Sequence, residues 1–556
     1  MWKVVDPNEG RPRFASFGGV DIFRPSWCAT IELRNEAEAH FRSEFKPGRY
    51  EGGEITNRAL KHHFLFYAGK LTSILPSLAS RDYIQFVLYQ YEQTVAVNHL
   101  DSNNRLSKQE SSEWKDIGPK LRRALKYLAE RTVLLWPPES VPVNSAPAFM
   151  LRHAELALLC AEQLVDLYMT SDKVFSLFPD EVILEVLPEG ELDIFRTKIP
   201  HDFMPDFLNR IHRDSLHRSE YVPVRGLHQI PKLQDQYLED AFRRTVGLSY
   251  SDMLAVLHVI IDKAQPPPTG FKIPFCLKMM IVNEVAQHSG FPHDAVEKVL
   301  AGFTVSRAGM ESEKREIFKP KQEYRAYRRG FFEMPHSSGP HLTWTKSMAQ
   351  ESFVILLNEI ALKQIPCEWN STCVDAAVGR LGGAVGKWFE SIVAENLKQL
   401  GIVGFHSVKH TIGGGRISVR IPGDVGEIDF VGYSERDEAI IVAECKYVRG
   451  GTEPRFFRDE INAFTKGDRC HMMQLQRKAK WVASEFKSVK TALSEGLGMS
   501  GVLRARRVLS VLITHYSSCA SYFWRDAPCV SLTELMLDYS TQCHWPYLTG
   551  VYDDRS

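Results

Sequence analysis

Residues 426–451 read GEIDFVGYSERDEAIIVAECKYVRGG. Two runs in this stretch have the composition of strands, Ile428–Tyr433 and Ala439–Lys446, joined by the polar turn Ser434–Glu438. Asp429 stands near the start of the first run, and Glu444 and Lys446 stand near the end of the second. Side chains alternate across a strand, so Glu444 and Lys446 share one face while Cys445 takes the other. If the runs pair as a hairpin, Asp429 approaches the same edge, and two carboxylates and an ammonium group converge. An isolated Glu-x-Lys on a surface strand is solvated charge. Here the pair ends the apolar run Ile440–Ala443, and charge at the end of a buried strand is costly unless it is paired or metal-bound.

Hard divalent cations favour such a set. Mg²⁺ takes carboxylate oxygens while keeping waters and substrate phosphate oxygens. A metal-bound water can attack phosphorus, and the ion offsets the charge that builds on the phosphoryl group. A nearby lysine adds positive charge, and with a lowered pKa it would also deprotonate the water. The stretch therefore points to metal-dependent phosphodiester hydrolysis, with Asp429, Glu444 and Lys446 as catalytic candidates.

Outward from this centre the pattern is α/β. A helix ends near Gly401, and short β-rich runs follow at Phe405–His410 and Ile417–Ile421. Downstream come a helical region over about 456–495, the apolar strand Val508–Thr514, and a closing helix from about Ser531 to Asp538. Gly413-Gly414-Gly415 lacks the Lys-Ser/Thr of a P-loop and reads as a hairpin turn, and no nucleotide-triphosphate site is evident. Between Lys446 and Lys480 nine Lys/Arg face four acids, as a phosphate backbone requires. A solvated helix face explains Arg477, Lys478 and Lys480 almost as well.

Over roughly residues 380–540 this chain resembles the PD-(D/E)xK superfamily, and within it the Mrr-like and related restriction-type nucleases. The parts that carry the likeness are GKWFESIVAENLKQLG, GEID, IIVAECKY, QLQRKAKW and VLSVLIT, in that order. The resemblance implies a restriction endonuclease-like fold with a central mixed sheet, and a Mg²⁺-dependent deoxyribonuclease in which Mn²⁺ can substitute. It makes Asp429, Glu444 and Glu390 metal ligands, Glu390 being favoured over Glu395 because of the setting Gly386-Lys387-Trp388-Phe389-Glu390. It adds Gln474, with Gln476 second, on the helix after the E-x-K strand. The proline of the family's name is absent, Ile428 standing before Asp429.

The rest of the chain is mostly helical. Residues 1–265 form a helical region of unknown role, 266–371 a second one, and 372–556 the nuclease-like domain. EVILEVLPEGELDIF interrupts the first region as a hairpin around Pro188-Glu189-Gly190, and Pro266–Gly270 marks the break to the second. Residues 281–300 have the outline of a helix-turn-helix, but Asp294 and Glu297 on the second helix favour a plain helical hairpin over a DNA reader. KREIFKPKQEYRAYRRGFFE, residues 314–333, suits either phosphate contact with base stacking or a helix whose aromatics pack inward.

Bulk properties bound the rest. The 556 residues are 44% hydrophobic and 24% charged, with 68 basic and 68 acidic side chains. Zero net charge excludes a protein that coats nucleic acid with its whole surface, so any such contact is local. The ten cysteines form no CxxC pair and read as reduced, mostly buried thiols; Cys470-His471 and Cys543-His544 lack a second pair at zinc-finger spacing. The start MWKVVDPNEGRPRF has no apolar signal region, and no stretch reaches the ~20 apolar residues of a membrane span. The expectation is a cytoplasmic endonuclease acting on DNA, in restriction or anti-phage defence, whose helical region binds a protein partner or sets a homo-oligomer. The alternatives are a catalytically silent nucleic-acid platform and a nuclease subunit of a larger recombination or repair assembly.

Overall fold

The structure, a computed structural model, describes residues 13–137, 147–177, 182–188, 192–196, 203–226, 231–266, 272–311, 323–413, 417–450, 454–499, 501 and 503–553. The chain forms two compact units: Met1–Lys198 with Gln234–Ile360 and Gln364–Ala377, and Ile199–Leu233 with Ala361–Lys363 and Val378–Ser556.

The first unit is built on long helices, among them Gly53–Leu78, Arg81–Ser102, Lys108–Leu135 and Pro147–Leu177. Their apolar spacing drives this. Leu71, Ile74, Leu75 and Leu78 recur at threes and fours and are buried. Ser80 and Ser107 cap the helices that follow them, the latter through a reciprocal box with Glu110. The expected hairpin forms, Val182–Val186 pairing antiparallel with Leu192–Arg196, and Gly48–Glu51 adds a third strand. Its turn, like most of the Pro266–Gly270 break, lies outside the described residues.

Lys278–Ser289 and His293–Gly302 form a helical hairpin, Gly290 supplying the left-handed residue that ends the first helix. Its second helix exposes Asp294, Glu297 and Lys298 while Val296 and Val299 are buried. Within the aromatic-basic segment, residues 314–322 lie outside the described residues. The remainder turns inward. Phe331 and Phe332 are buried, and Arg325 and Arg329 pair with Glu130 and Glu368.

The second unit holds a six-stranded mixed sheet. Its strands are β1 (Ile402–Val408), β2 (Ile428–Ser434), β3 (Ala439–Lys446), β4 (Arg507–Thr514), β5 (Cys529–Ser531) and β6 (Val551–Asp553). The first five lie side by side in chain order; β1–β2–β3 are antiparallel, β3–β4–β5 parallel, and β6 pairs with β4. Sequence reading placed β1 to β4 within a few residues, but not β5 or β6. Both have only three residues, too few to show a period.

One sheet face packs on helices α3 (Pro454–Thr465), α4 (His471–Ser484) and α5 (Phe486–Gly496) through Val431, Tyr433, Ile440 and Val442. The other, carrying Phe430, Ile441, Ala443 and Cys445, packs on α2 (Thr372–Gln399) and α6 (Leu532–Gln542). With both faces covered, β3 is buried from Ala439 to Cys445. Burying each Val or Ile contributes about 1.5–3 kcal/mol, enough over such a strand to carry charged residues at its end.

Residues 199–233, which sequence reading kept inside the helical region, group with this unit. Their helix α1 (Met204–Tyr221) is fastened by charge: Arg210 donates to Glu534 (2.6 and 3.1 Å), and Asp214 accepts from Ser531 (2.7 Å). All ten cysteines are free thiols, five buried, three half-buried, and Cys367 and Cys543 exposed. Among the described residues no helix is long and apolar enough to cross a membrane.

Candidate active site

The site begins at the turn before β2. Gly426, with φ 76°, reverses the chain after Pro422 and delivers Glu427 and Asp429 to the sheet edge. The β2–β3 ladder pairs Phe430 with Ala443, so the next position sets Asp429 opposite Glu444. Both point to the α3–α5 face, as Lys446 does two residues on, while Cys445 joins the opposite core.

Asp429, Glu444 and Lys446 meet as expected. The Lys446 ammonium lies 2.6 Å from Glu444 Oε1 and 3.2 Å from Asp429 Oδ2, and the Cys445 backbone N–H donates to the same Asp429 oxygen at 2.8 Å. A fourth group completes the cluster. Lys478 on α4 donates to Glu444 Oε2 and lies 3.5 Å from Asp429 Oδ1. All four carboxylate oxygens thus have a cationic or backbone donor. Exposure is 1% for Glu444, 6% for Asp429 and 4% for Lys478, so these ion pairs act in a low-dielectric setting and are not surface bridges.

The Lys446 pKa, whose direction the sequence left open, is raised. Burial opposes the charge of Lys446, but Glu444 and Asp429 outweigh it and lift its pKa above the usual lysine value. With these partners Lys446 is held as an ammonium ion and contributes positive charge.

Glu390, on α2, belongs to the same neighbourhood. Burial pushes its carboxyl up to about 7, opposed by a hydrogen bond from the Ser407 hydroxyl and reinforced by the charges of Asp429 and Glu427. Ser407 lies at a fault in the β1–β2 ladder. His406 pairs with Phe430 and Val408 with Ile428, but Ser407, between them, has φ 52° and is left out. A non-glycine residue held left-handed costs about 1–3 kcal/mol, a cost concentrated at functional positions. Glu395 is exposed to solvent.

Gln474 is not brought in. Its amide donates to the Arg469 carbonyl at 2.6 Å, and Gln476 donates to Asp526 at 3.0 Å. The inward residues of α4 are instead Lys478 and His471. Sequence reading assigned Lys478 equally to a solvated face. A signal was there: Leu475, Lys478, Ala479 and Val482 follow the i, i+3, i+4, i+7 spacing of the buried stripe. His471, read only as a zinc candidate, has a buried Nδ1 without a hydrogen-bond partner and packs edge-on to Phe464. Burial, with Lys446 and Lys478 nearby and Asp429 opposing, lowers its pKa to about 4, so the imidazole is neutral.

The donors are of the kind a hard cation takes, but among the described residues Asp429, Glu444, Glu390 and Glu427 do not bring three ligand atoms within 4.8 Å of one another. Asp429, Glu444, Glu390 and Glu427 offer only oxygen, and Glu427 Oε1 is buried without a partner. A different trio, Glu323, Cys367 and Glu368, has ligand atoms within 4.8 Å of one another in the first unit. There, Arg329 already neutralises Glu368 through two bonds of 2.9 and 2.8 Å. No family model, curated protein or solved structure matches this chain.

Proposed function

We propose that this protein is a Mg²⁺-dependent endonuclease hydrolysing phosphodiester bonds of DNA, its second unit being restriction endonuclease-like and of PD-(D/E)xK type. The observation that carries the reading is the convergence of Asp429, Glu444, Lys446 and Lys478 at the end of two buried strands. Asp429 and Glu444, with Glu390, would hold Mg²⁺ or Mn²⁺, which supplies Lewis acidity and an activated water. Lys446 and Lys478 place two positive charges where phosphoryl oxygens gain negative charge. Ser407 restrains the Glu390 carboxylate, and the covered strands keep bulk water from the acid pair. Restriction or anti-phage defence is the setting we assign to this activity, with the first unit controlling access or recognising a target.

A second reading, a catalytically silent nucleic-acid platform, draws on one observation: every oxygen of Asp429 and Glu444 already has a donor. Cleavage of supercoiled plasmid, linear duplex and single-stranded DNA with Mg²⁺ or Mn²⁺, and with EDTA, separates the two. Metal-dependent cutting by the wild type that is lost in Glu444→Ala and Lys446→Ala supports the enzyme. Nucleic-acid binding without cutting by any form selects the platform, and cutting that survives both substitutions removes this site from the reaction.

A further inference from the structure

The second unit also holds an open cleft of about 480 Å³, formed by α1, the segment Ser521–Val530, α6 and the chain around Tyr547. That volume lies within the range of small-molecule sites, about 300–1,000 Å³. Arg210, Arg213 and Arg525 line it against Glu534 and Asp538, an excess of one positive charge (three guanidinium groups, two carboxylates). The arginines differ. Arg210 is engaged by Glu534, and Arg213 lies 2.8 Å from Asp538 with nearly half its side chain exposed. Arg525 is exposed and has no partner among the described residues.

Two aromatic side chains, Trp524 and Tyr547, line the same cleft. Trp524 also packs against the core behind the sheet, which fixes its ring in place. Guanidinium forks suit phosphate oxygens, and aromatic faces suit a nucleobase, whose stacking contributes about 1–3 kcal/mol. A bare phosphate would leave the aromatic faces and most of the volume unused.

We propose that this cleft binds a nucleoside monophosphate unit, its phosphate on Arg525 and the exposed edge of Arg213, its base against Trp524. The unit is either a free mononucleotide or the phosphorylated end of a strand. The site shares no residue with the Asp429–Glu444 cluster and does not depend on the nuclease reading.

The test is calorimetric titration of the full chain in EDTA, with deoxyadenosine monophosphate, inorganic phosphate, deoxyadenosine, and a single-stranded oligonucleotide with and without a 5′-phosphate. One mononucleotide should bind per chain, more tightly than phosphate or nucleoside alone. Arg525→Glu, at an exposed position, should weaken it by about tenfold, and Trp524→Phe, which leaves a smaller aromatic face for stacking, by a smaller factor. A phosphorylated strand that binds more tightly than the free nucleotide assigns the cleft to strand ends; equal or weaker binding assigns it to the free nucleotide. No binding up to ~5 mM, binding unchanged in Arg525→Glu, or phosphate alone binding as well overturns the proposal. Because EDTA removes divalent cations, a chain that binds here without ever cutting DNA refutes the nuclease reading alone, and one that cuts but does not bind refutes the cleft alone.

Discussion

Each unit buries a charge cluster, and the two are built differently. In the helical unit Arg329 is fully buried and every direction of its guanidinium is used: Glu368 takes two bonds, and the carbonyls of Glu323, Ala301 and Thr304 accept at 2.8, 2.8 and 3.2 Å. At the sheet edge of the other unit, Asp429, Glu444 and Lys478 are buried and Lys446 half-buried, and the surroundings are unfinished. Glu427 Oε1 and His471 Nδ1 are buried without partners, Glu390 is pushed up to about 7, and Ser407 is held at positive φ. Burial of charge is common to both clusters; on the proposed reading, leftover valence and strain mark the second as the reactive one.

The largest expected effect is on catalysis. Glu444→Ala and Lys446→Ala should each lower metal-dependent cutting by about 100- to 1,000-fold or more, while Glu368→Gln stays within about twofold, as read by plasmid nicking. Loss of cutting on Glu368→Gln of comparable size would erase the distinction between the clusters.

Stability follows. Removing one partner of a buried pair costs about 3–5 kcal/mol, so Arg329→Met and Lys478→Met should each destabilise the protein by that order in denaturant titration. Added Mg²⁺ should recover part of the loss in Lys478→Met, where Asp429 and Glu444 are left uncompensated.

Metal should stabilise one unit only. A ligand present at 100 times its dissociation constant contributes about 2.7 kcal/mol. Mg²⁺ should therefore raise the unfolding midpoint of the wild type and not that of Asp429→Asn, and Glu368→Gln should respond as the wild type does.

The smallest effect is a pH dependence. The folded-state pKa of Glu390 lies above its ordinary 4.5, at about 7. A carboxyl raised on folding favours the folded state at low pH; that contribution is complete below about 4.5 and is lost as pH rises through about 7. Metal-free protein should therefore lose stability across this window, and Glu390→Gln should flatten the slope in thermal unfolding. Because a cation favours the carboxylate, Mg²⁺ binding should release a proton near pH 6, visible as a buffer-dependent heat.

Much of this site was legible beforehand. Two strand-like runs around a polar turn, with carboxylates and a lysine at matching ends, became β2 and β3 with the expected face assignment. The direction of the Lys446 pKa was not legible, because it depends on partners brought in by pairing and not on its neighbours in the chain. Gln474 was favoured through the resemblance and Lys478 left open because its charge suited a solvated face almost as well; only helix rotation against the sheet decides which side chain of α4 reaches Glu444. The reading also missed Ser407, since a break in β1–β2 pairing has no local signature beyond a serine in a strand.

Local pattern, then, determined the strands, the helices and the sharing of one face by Glu444 and Lys446. Periods of two and 3.6 residues arise from steric rules that act within a few residues. Tertiary packing alone decided that Lys478 closes the cluster from 32 residues beyond Lys446, that Ser407 is held against Glu390, and that the distant helix Met204–Tyr221 is clamped to Glu534 and Ser531. Those contacts depend on register, helix rotation and the pairing of buried charge across long separations. They are settled only when the whole sheet and its covering helices condense.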